Sequence, residues 1–173
     1  SESAMKITDL KCTVIGRNPV LRIVTDEGID GFAQVEPSKH YLTPHVLFYR
    51  DYILGEDPTC VESVMRKIRR LGAFKPWGSS VSAIEMALWD IAGKAADLPV
   101  HKLLGGKVRD RVRVYNGAVR FPLDGFEPED YAANMARMKA APENFSLIKQ
   151  GVAFHGPMAG SVPGFYYGDV SSS

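Results

Sequence analysis

Residues 79–106 read SSVSAIEMALWDIAGKAADLPVHKLLGG. Val81, Ile84, Leu88, Ile91 and Ala95 fall three to four positions apart, with Ala87 and Ala92 beside them, so a helix here carries one continuous apolar stripe. Ser82 and Glu85 stand at capping-box spacing and predict the start of that helix. Asp97-Leu98-Pro99 predicts its stop, because proline has no amide to donate and crowds the turn before it. A short helical turn over 100–104 follows, closed by Gly105-Gly106, which can take a left-handed cap without strain.

Upstream of this stretch, residues 5–15 carry Ile7, Leu10, Cys12 and Val14 and predict a strand. Gly16-Arg17-Asn18-Pro19 is a turn, 20–25 the return strand, Asp26-Glu27-Gly28 a second turn and 29–35 a third strand, together an antiparallel meander. Thr43-Pro44 offers an N-cap followed by proline for a helix running to Leu54 and closed by Gly55. Asp57-Pro58 repeats that signal before a helix whose inner face is Val61, Val64, Met65, Ile68 and Leu71. Arg66, Lys67, Arg69 and Arg70 fall on its polar side near the C-terminal end, where cations complement the helix dipole, and read as a solvated face.

Downstream, 112–117 predict a strand, 128–140 a helix with Glu127, Glu129 and Asp130 at its start, and 145–149 a second strand. Strand, helix, strand at this length is a βαβ unit, the repeat of parallel barrels. Residues 151–173 are rich in Gly, Pro and Ser, lack periodicity and read as loop. The expected architecture is an α+β domain over 1–110, a three-stranded antiparallel meander plus helices, followed over 111–173 by the start of a (β/α) TIM-like barrel. An eight-fold barrel takes roughly 250 residues, so the chain is expected to be the amino-terminal part of a longer protein. Ser1-Glu2-Ser3-Ala4 reads as a remnant ahead of a native Met5.

A hydrophobic share of 45% allows a sizeable core, while a formal charge of +1 leaves no electrostatic footprint for nucleic acid or an anionic membrane. Cys12 and Cys60 are far apart and lack metal-ligand spacing, which predicts reduced, packed thiols in a cytoplasmic protein. Neither a membrane-spanning run nor a signal peptide is expected.

Residues 82–106 resemble, without a gap, the signature of the mandelate racemase and muconate lactonizing enzyme group of the enolase superfamily. The match includes Ala87-Leu88-Trp89-Asp90 and Leu103-Leu104-Gly105-Gly106. Trp89 and Asp90 are expected to serve the fold, as a core aromatic and its hydrogen-bonding neighbour. TDEGIDGFAQ, residues 25–34, looks like the second hairpin of that group's capping domain, with Phe32 at a usual Trp and Gln34 at a usual Glu. The resemblance implies a cap followed by the opening of a catalytic barrel. It also implies abstraction of a proton α to a carboxylate, with Mg²⁺ stabilising the enediolate. The Asp and Glu ligands of that metal belong to later barrel strands and are expected beyond residue 173, so no metal ligand is assigned within the chain.

Lys149 would end the second barrel strand, and such ends face the active site. Racemase and cycloisomerase branches carry Lys-x-Lys there, whereas Lys149-Gln150-Gly151 lacks the second lysine, a departure that favours the acid-sugar dehydratases. The hairpin tip Gly16-Arg17-Asn18 resembles a loop of D-mannonate dehydratases whose Asn contacts the sugar acid. PGFYYG, residues 163–168, resembles that group's extended loop with a catalytic tyrosine. The implied site is therefore Lys149 and Tyr166 as catalytic residues, with Arg17, Asn18, His40 and Tyr41 binding substrate and Lys39 a further donor.

The other reading of Asn18 is a residue that tolerates left-handed turn geometry before Pro19. His45 and His101 are expected to be helix-surface or packing residues, and His155 could enter a closing site. The implied activity is Mg²⁺-dependent aldonate dehydration on a small-molecule carboxylate by a homo-oligomer. The alternatives are a racemase or cycloisomerase of the same superfamily, or a non-catalytic, cap-like binding module.

Overall fold

A computed structural model describes residues 4–71, 78–117, 121, 123–125 and 127–151. The chain divides after Val108 into two compact units. In the first, β1 (Ile7–Ile15), β2 (Asn18–Thr25) and β3 (Gly31–Gln34) form an antiparallel sheet in the order β1-β2-β3. Ile15 pairs with Asn18, so the first hairpin turns on two residues, with Gly16 at φ +63°. That turn is tighter than the four-residue one expected, and Asn18 and Pro19 lie within β2.

β2 and β3 alternate between buried and exposed, as half-buried strands must, whereas in β1 a register shift between Ile7 and Asp9 brings Ile7 and Leu10, three apart, to the same face. Ile7, Leu10, Leu21, Ile23, Ala33 and Val35 face a core closed by helix residues Val46, Ile53, Val64, Ile68, Ile84, Leu88 and Ile91.

After a 3₁₀ turn at His40–Leu42, the helix expected over 43–54 breaks into α1 (Thr43–Phe48) and α2 (Arg50–Ile53). Tyr49 sits at the break, where tightened bonds from Tyr49 N to Val46 O and from Tyr52 N to Tyr49 O, both 3.1 Å, keep Val46, Tyr49 and Ile53 all inward. Leu42, not Thr43, occupies the cap position. α3 (Val61–Leu71) buries Val61, Val64, Met65 and Ile68 but leaves Leu71 exposed. Ahead of it the Asp57 carboxylate accepts bonds from the Thr59 amide (2.8 Å) and hydroxyl (2.6 Å).

The basic residues of α3 are solvated: Lys67 pairs with Glu56 at 2.5 Å and Arg69 with Glu62 at 3.1 Å. Both cysteines are free thiols, but Cys60 is exposed, correcting the expectation that it packs, because it lies in the turn just before α3, its amide bonded back to Asp57 O at 3.2 Å. Cys12 is half-buried, and that burial pushes its thiol pKa up.

α4 (Gly78–Ala95) starts a full turn before Ser82, so the expected capping box lies inside the helix, and Glu85 accepts a bond from Arg69 Nη2 at 2.9 Å instead. The helix stops before the proline acts. Asp97 takes φ +53° and Leu98 N–H reaches back to Gly93 O at 2.9 Å, a left-handed cap supplied by an aspartate. Ala95, expected inside, is exposed. α5 (Val100–Leu103) follows and ends at left-handed Gly105 and Gly106, as expected.

Trp89 packs half-buried against the core, while Asp90 Oδ2 accepts the Phe32 amide (3.0 Å) and Lys94 Nζ (2.6 Å). Lys94 Nζ also donates to Asp30 O at 2.7 Å, so the signature aspartate ties α4 to β3.

Asp9 and Arg50 join β1 to α2 at 2.7 Å, and the Arg50 hydrogen bond holds the Asp9 carboxyl below its ordinary 3.8. A depressed carboxylate contributes stability above its unfolded pKa and loses it as pH falls through the folded one. Both side chains are substantially solvated, so Asp9→Asn is expected to cost less than about 1 kcal/mol at pH 7. In urea melts across pH, the gap from the parent should close below pH 3.8.

In the second unit α6 (Pro128–Lys139) opens with a reciprocal box in which Glu127 N donates to Asp130 Oδ2 at 3.0 Å. The strands expected over 112–117 and 145–149 reduce to one parallel bridge, Asn116 with Ile148. Val112, Val114, Tyr115 and Leu147 are exposed. Parallel strands are stable when both faces are covered, which does not hold for these segments. No helix among the described residues is long and apolar enough to cross a membrane.

Candidate active site

The tight β1–β2 turn carries Arg17 out to the end of the sheet, where β3 continues into the loop 35–41. Val35 N donates to Pro19 O at 2.9 Å and Ser38 N to Asn18 Oδ1 at 3.1 Å, drawing this loop against the hairpin. Asn18 Nδ2 also reaches Gln34 Oε1 at 3.4 Å. Asn18 itself does not have positive φ; Gly16 and Ser38 (φ +62°) supply the left-handed geometry. The left-handed-turn reading of Asn18 therefore fails, since the two-residue hairpin puts that demand on Gly16.

Between the hairpin and the loop lies an open cleft of about 310 Å³ lined by Val14, Gly16, Arg17, Ser38 and His40. Arg17 and His40, expected as substrate contacts, are thus brought together, with Asn18 beside them. Tyr41 is 61% exposed and its ring stands edge-on to His40 at 6.4 Å. Lys39, read as a further donor, is ion-paired with Glu36, whose carboxylate also accepts Ser79 Oγ at 2.7 Å. These partners hold the Glu36 carboxyl below its usual range and raise the Lys39 ammonium.

In the second unit Lys149 follows the bridge: its N–H donates to Asn116 O at 2.8 Å, and Asn116 N–H donates to Leu147 O at 2.8 Å. Gln150 points to α6, where its Oε1 accepts from Asn134 Nδ2 at 3.0 Å. Lys149 itself stands at the surface, its Nζ 5.9 Å from the centroid of the Tyr115 ring. Tyr166 and His155 lie outside the described residues. His45 lines a surface groove with Pro44, Phe48, Tyr49 and Leu71, and His101 is exposed on α5.

Among the described residues no group of three or more His, Cys, Asp or Glu could hold a metal ion.

Sequence reasoning missed Ser38, whose signal was the turn-forming Pro37-Ser38 pair. It also missed Asn134, four residues before buried Met138 and hence on the helix's inner face.

The family model for the mandelate racemase / muconate lactonizing enzyme N-terminal domain matches residues 10–105. A D-galactonate dehydratase of Variovorax paradoxus is 34% identical over 78% of this chain and 35% of its own length. The structure of a proposed dehydratase from Zymomonas mobilis superposes with TM-score 0.70 at 29% identity, over 94% of this chain and 46% of that one. The 3,6-anhydro-D-galactonate cycloisomerase of Zobellia galactanivorans gives TM-score 0.55 at 27% identity, over 58% of this chain and 32% of that one. The chain spans about a third to a half of the length of the curated relatives it matches.

Proposed function

The chain belongs to the mandelate racemase / muconate lactonizing enzyme family, and on that premise we propose that the whole protein is a Mg²⁺-dependent aldonate dehydratase. This chain would supply the cap and the first barrel units. The likeness to D-galactonate dehydratases carries the reading. In the reaction a base takes the proton α to the carboxylate, the β-hydroxyl leaves with a proton as water, and the enol becomes a 2-keto-3-deoxy acid. Mg²⁺, held by residues outside those described, would supply charge neutralisation of the enediolate.

Arg17 and His40 are suited to hold carboxylate and hydroxyl oxygens at the cap cleft. Lys149 would bind the carboxylate or protonate the departing hydroxyl. Incubating the full-length enzyme with Mg²⁺ and a panel of aldonates that includes D-galactonate should release a 2-keto-3-deoxy product from at least one. Silence across the panel overturns the reading. Racemisation or cycloisomerisation is the second reading, favoured by the likeness to the Zobellia cycloisomerase. It would exchange solvent deuterium into the α-carbon without loss of water.

Asn18 serves the cleft by holding Ser38 as well as by any contact with substrate. Asn18→Ala is expected to lower kcat/KM roughly ten- to a hundred-fold, the kinetic equivalent of about 1–3 kcal/mol for an unpaired polar group. A thermal melt should move little, and a large fall in Tm with kcat/KM unchanged would assign Asn18 to stability alone.

A further inference from the structure

Asn134 is 1% exposed in the middle of α6, where an apolar residue would ordinarily pack, and its Oδ1 has no hydrogen-bond partner. A buried amide whose oxygen is left unpaired is costly, so the bond its nitrogen makes needs a reason. That bond goes to Gln150 Oε1 at 3.0 Å, and Gln150 Nε2 turns back to Gly151 O at 2.9 Å. The amide chain therefore clamps the residue after Lys149 to the helix on one side. On the other, the backbone of Lys149 is held by Asn116 O at 2.8 Å.

We infer that Asn134 is a positioning residue which, through Gln150, fixes the direction in which Lys149 presents its ammonium. The inference rests on Lys149 being the substrate-facing group of the proposed reaction. Neither Asn134 nor Gln150 need touch substrate. Gln150 falls at the middle position of the Lys-x-Lys pattern of the racemase and cycloisomerase branches, offers no charge, and here turns its side chain toward α6.

Two variants of the full-length enzyme test this. Gln150→Met removes the acceptor from a half-buried site at little risk to folding, and Asn134→Leu removes the donor. Each is expected to lower kcat about ten- to a hundred-fold on an aldonate that the enzyme turns over, with KM changed by less than about threefold, the signature of a misaligned reacting group. Because Asn134→Leu breaks a bond that Gln150→Met already breaks, the double variant should lose no more than Gln150→Met alone. Amide hydrogen exchange at Lys149, which needs no substrate, should quicken in both while amides of β2 keep their protection.

A fall in Tm with kcat and Lys149 exchange unchanged overturns the inference and makes Asn134 a packing residue. If the slowed exchange barrier is lost in both variants but Lys149→Met retains activity, the clamp stands and the catalytic reading of Lys149 falls.

Discussion

Gly31→Ala is expected to lower the stability of the first unit by about 3 kcal/mol, at the upper end of overpacking costs. Tm should fall on the order of 10–20 °C in a domain of this size. Gly31 opens β3 where the strand crosses α4, and a Cβ there would overlap the Ala87 carbonyl oxygen and stand 2.7 Å from Ile91 Cγ1. A flexible side chain could swing aside, but a helix carbonyl cannot move without loosening the Asp90 and Lys94 ties to β3 on the next turn. Gly78→Ala is the control, since a Cβ at the start of α4 meets nothing within 4 Å. Thermal melts that follow the unfolding of this unit in the two variants should separate them clearly, and equal midpoints would mean that the β3–α4 contact has slack its geometry does not suggest.

That contact shows what was legible in the sequence. The apolar stripe of α4 and the strand signals of β1 and β2 could be read directly, because each depends on a pattern the chain carries locally. The family signature supplied the meaning of Asp90. The helix boundaries were less legible. A serine and a glutamate at capping distance look the same whether the helix starts there or a turn earlier, and an aspartate in left-handed geometry at position 97 is invisible without the packing that holds it.

The break at Tyr49 follows from three inward side chains spaced 46, 49 and 53, which only the finished core selects. In the second unit the strand signals at 112–117 and 145–149 had the right residues, yet a parallel strand is completed by neighbours on both sides. Among the candidate site residues, Arg17 and His40 were named through the resemblance. Their convergence depends on Asn18 holding Ser38 N, a bond between elements that local pattern does not report.

Lys149→Met is expected to reduce the proposed dehydration by roughly 10²- to 10⁴-fold, the range for removal of a positioned proton donor. Lys149 is exposed, and among the described residues it has the Tyr115 ring as its charge partner, so its loss should leave Tm nearly unchanged. Lys149→Arg should not restore the rate, because a planar guanidinium neither releases its proton near neutral pH nor fits the space of an ammonium. Following the α-carbon in deuterium oxide separates the two roles open to the lysine. If it protonates the departing hydroxyl, Lys149→Met should still exchange the α-proton while losing elimination. If it binds the carboxylate, exchange and elimination should fall together with a rise in KM. Retention of both within about threefold of the parent, a difference under about 1 kcal/mol, would remove Lys149 from the proposed mechanism.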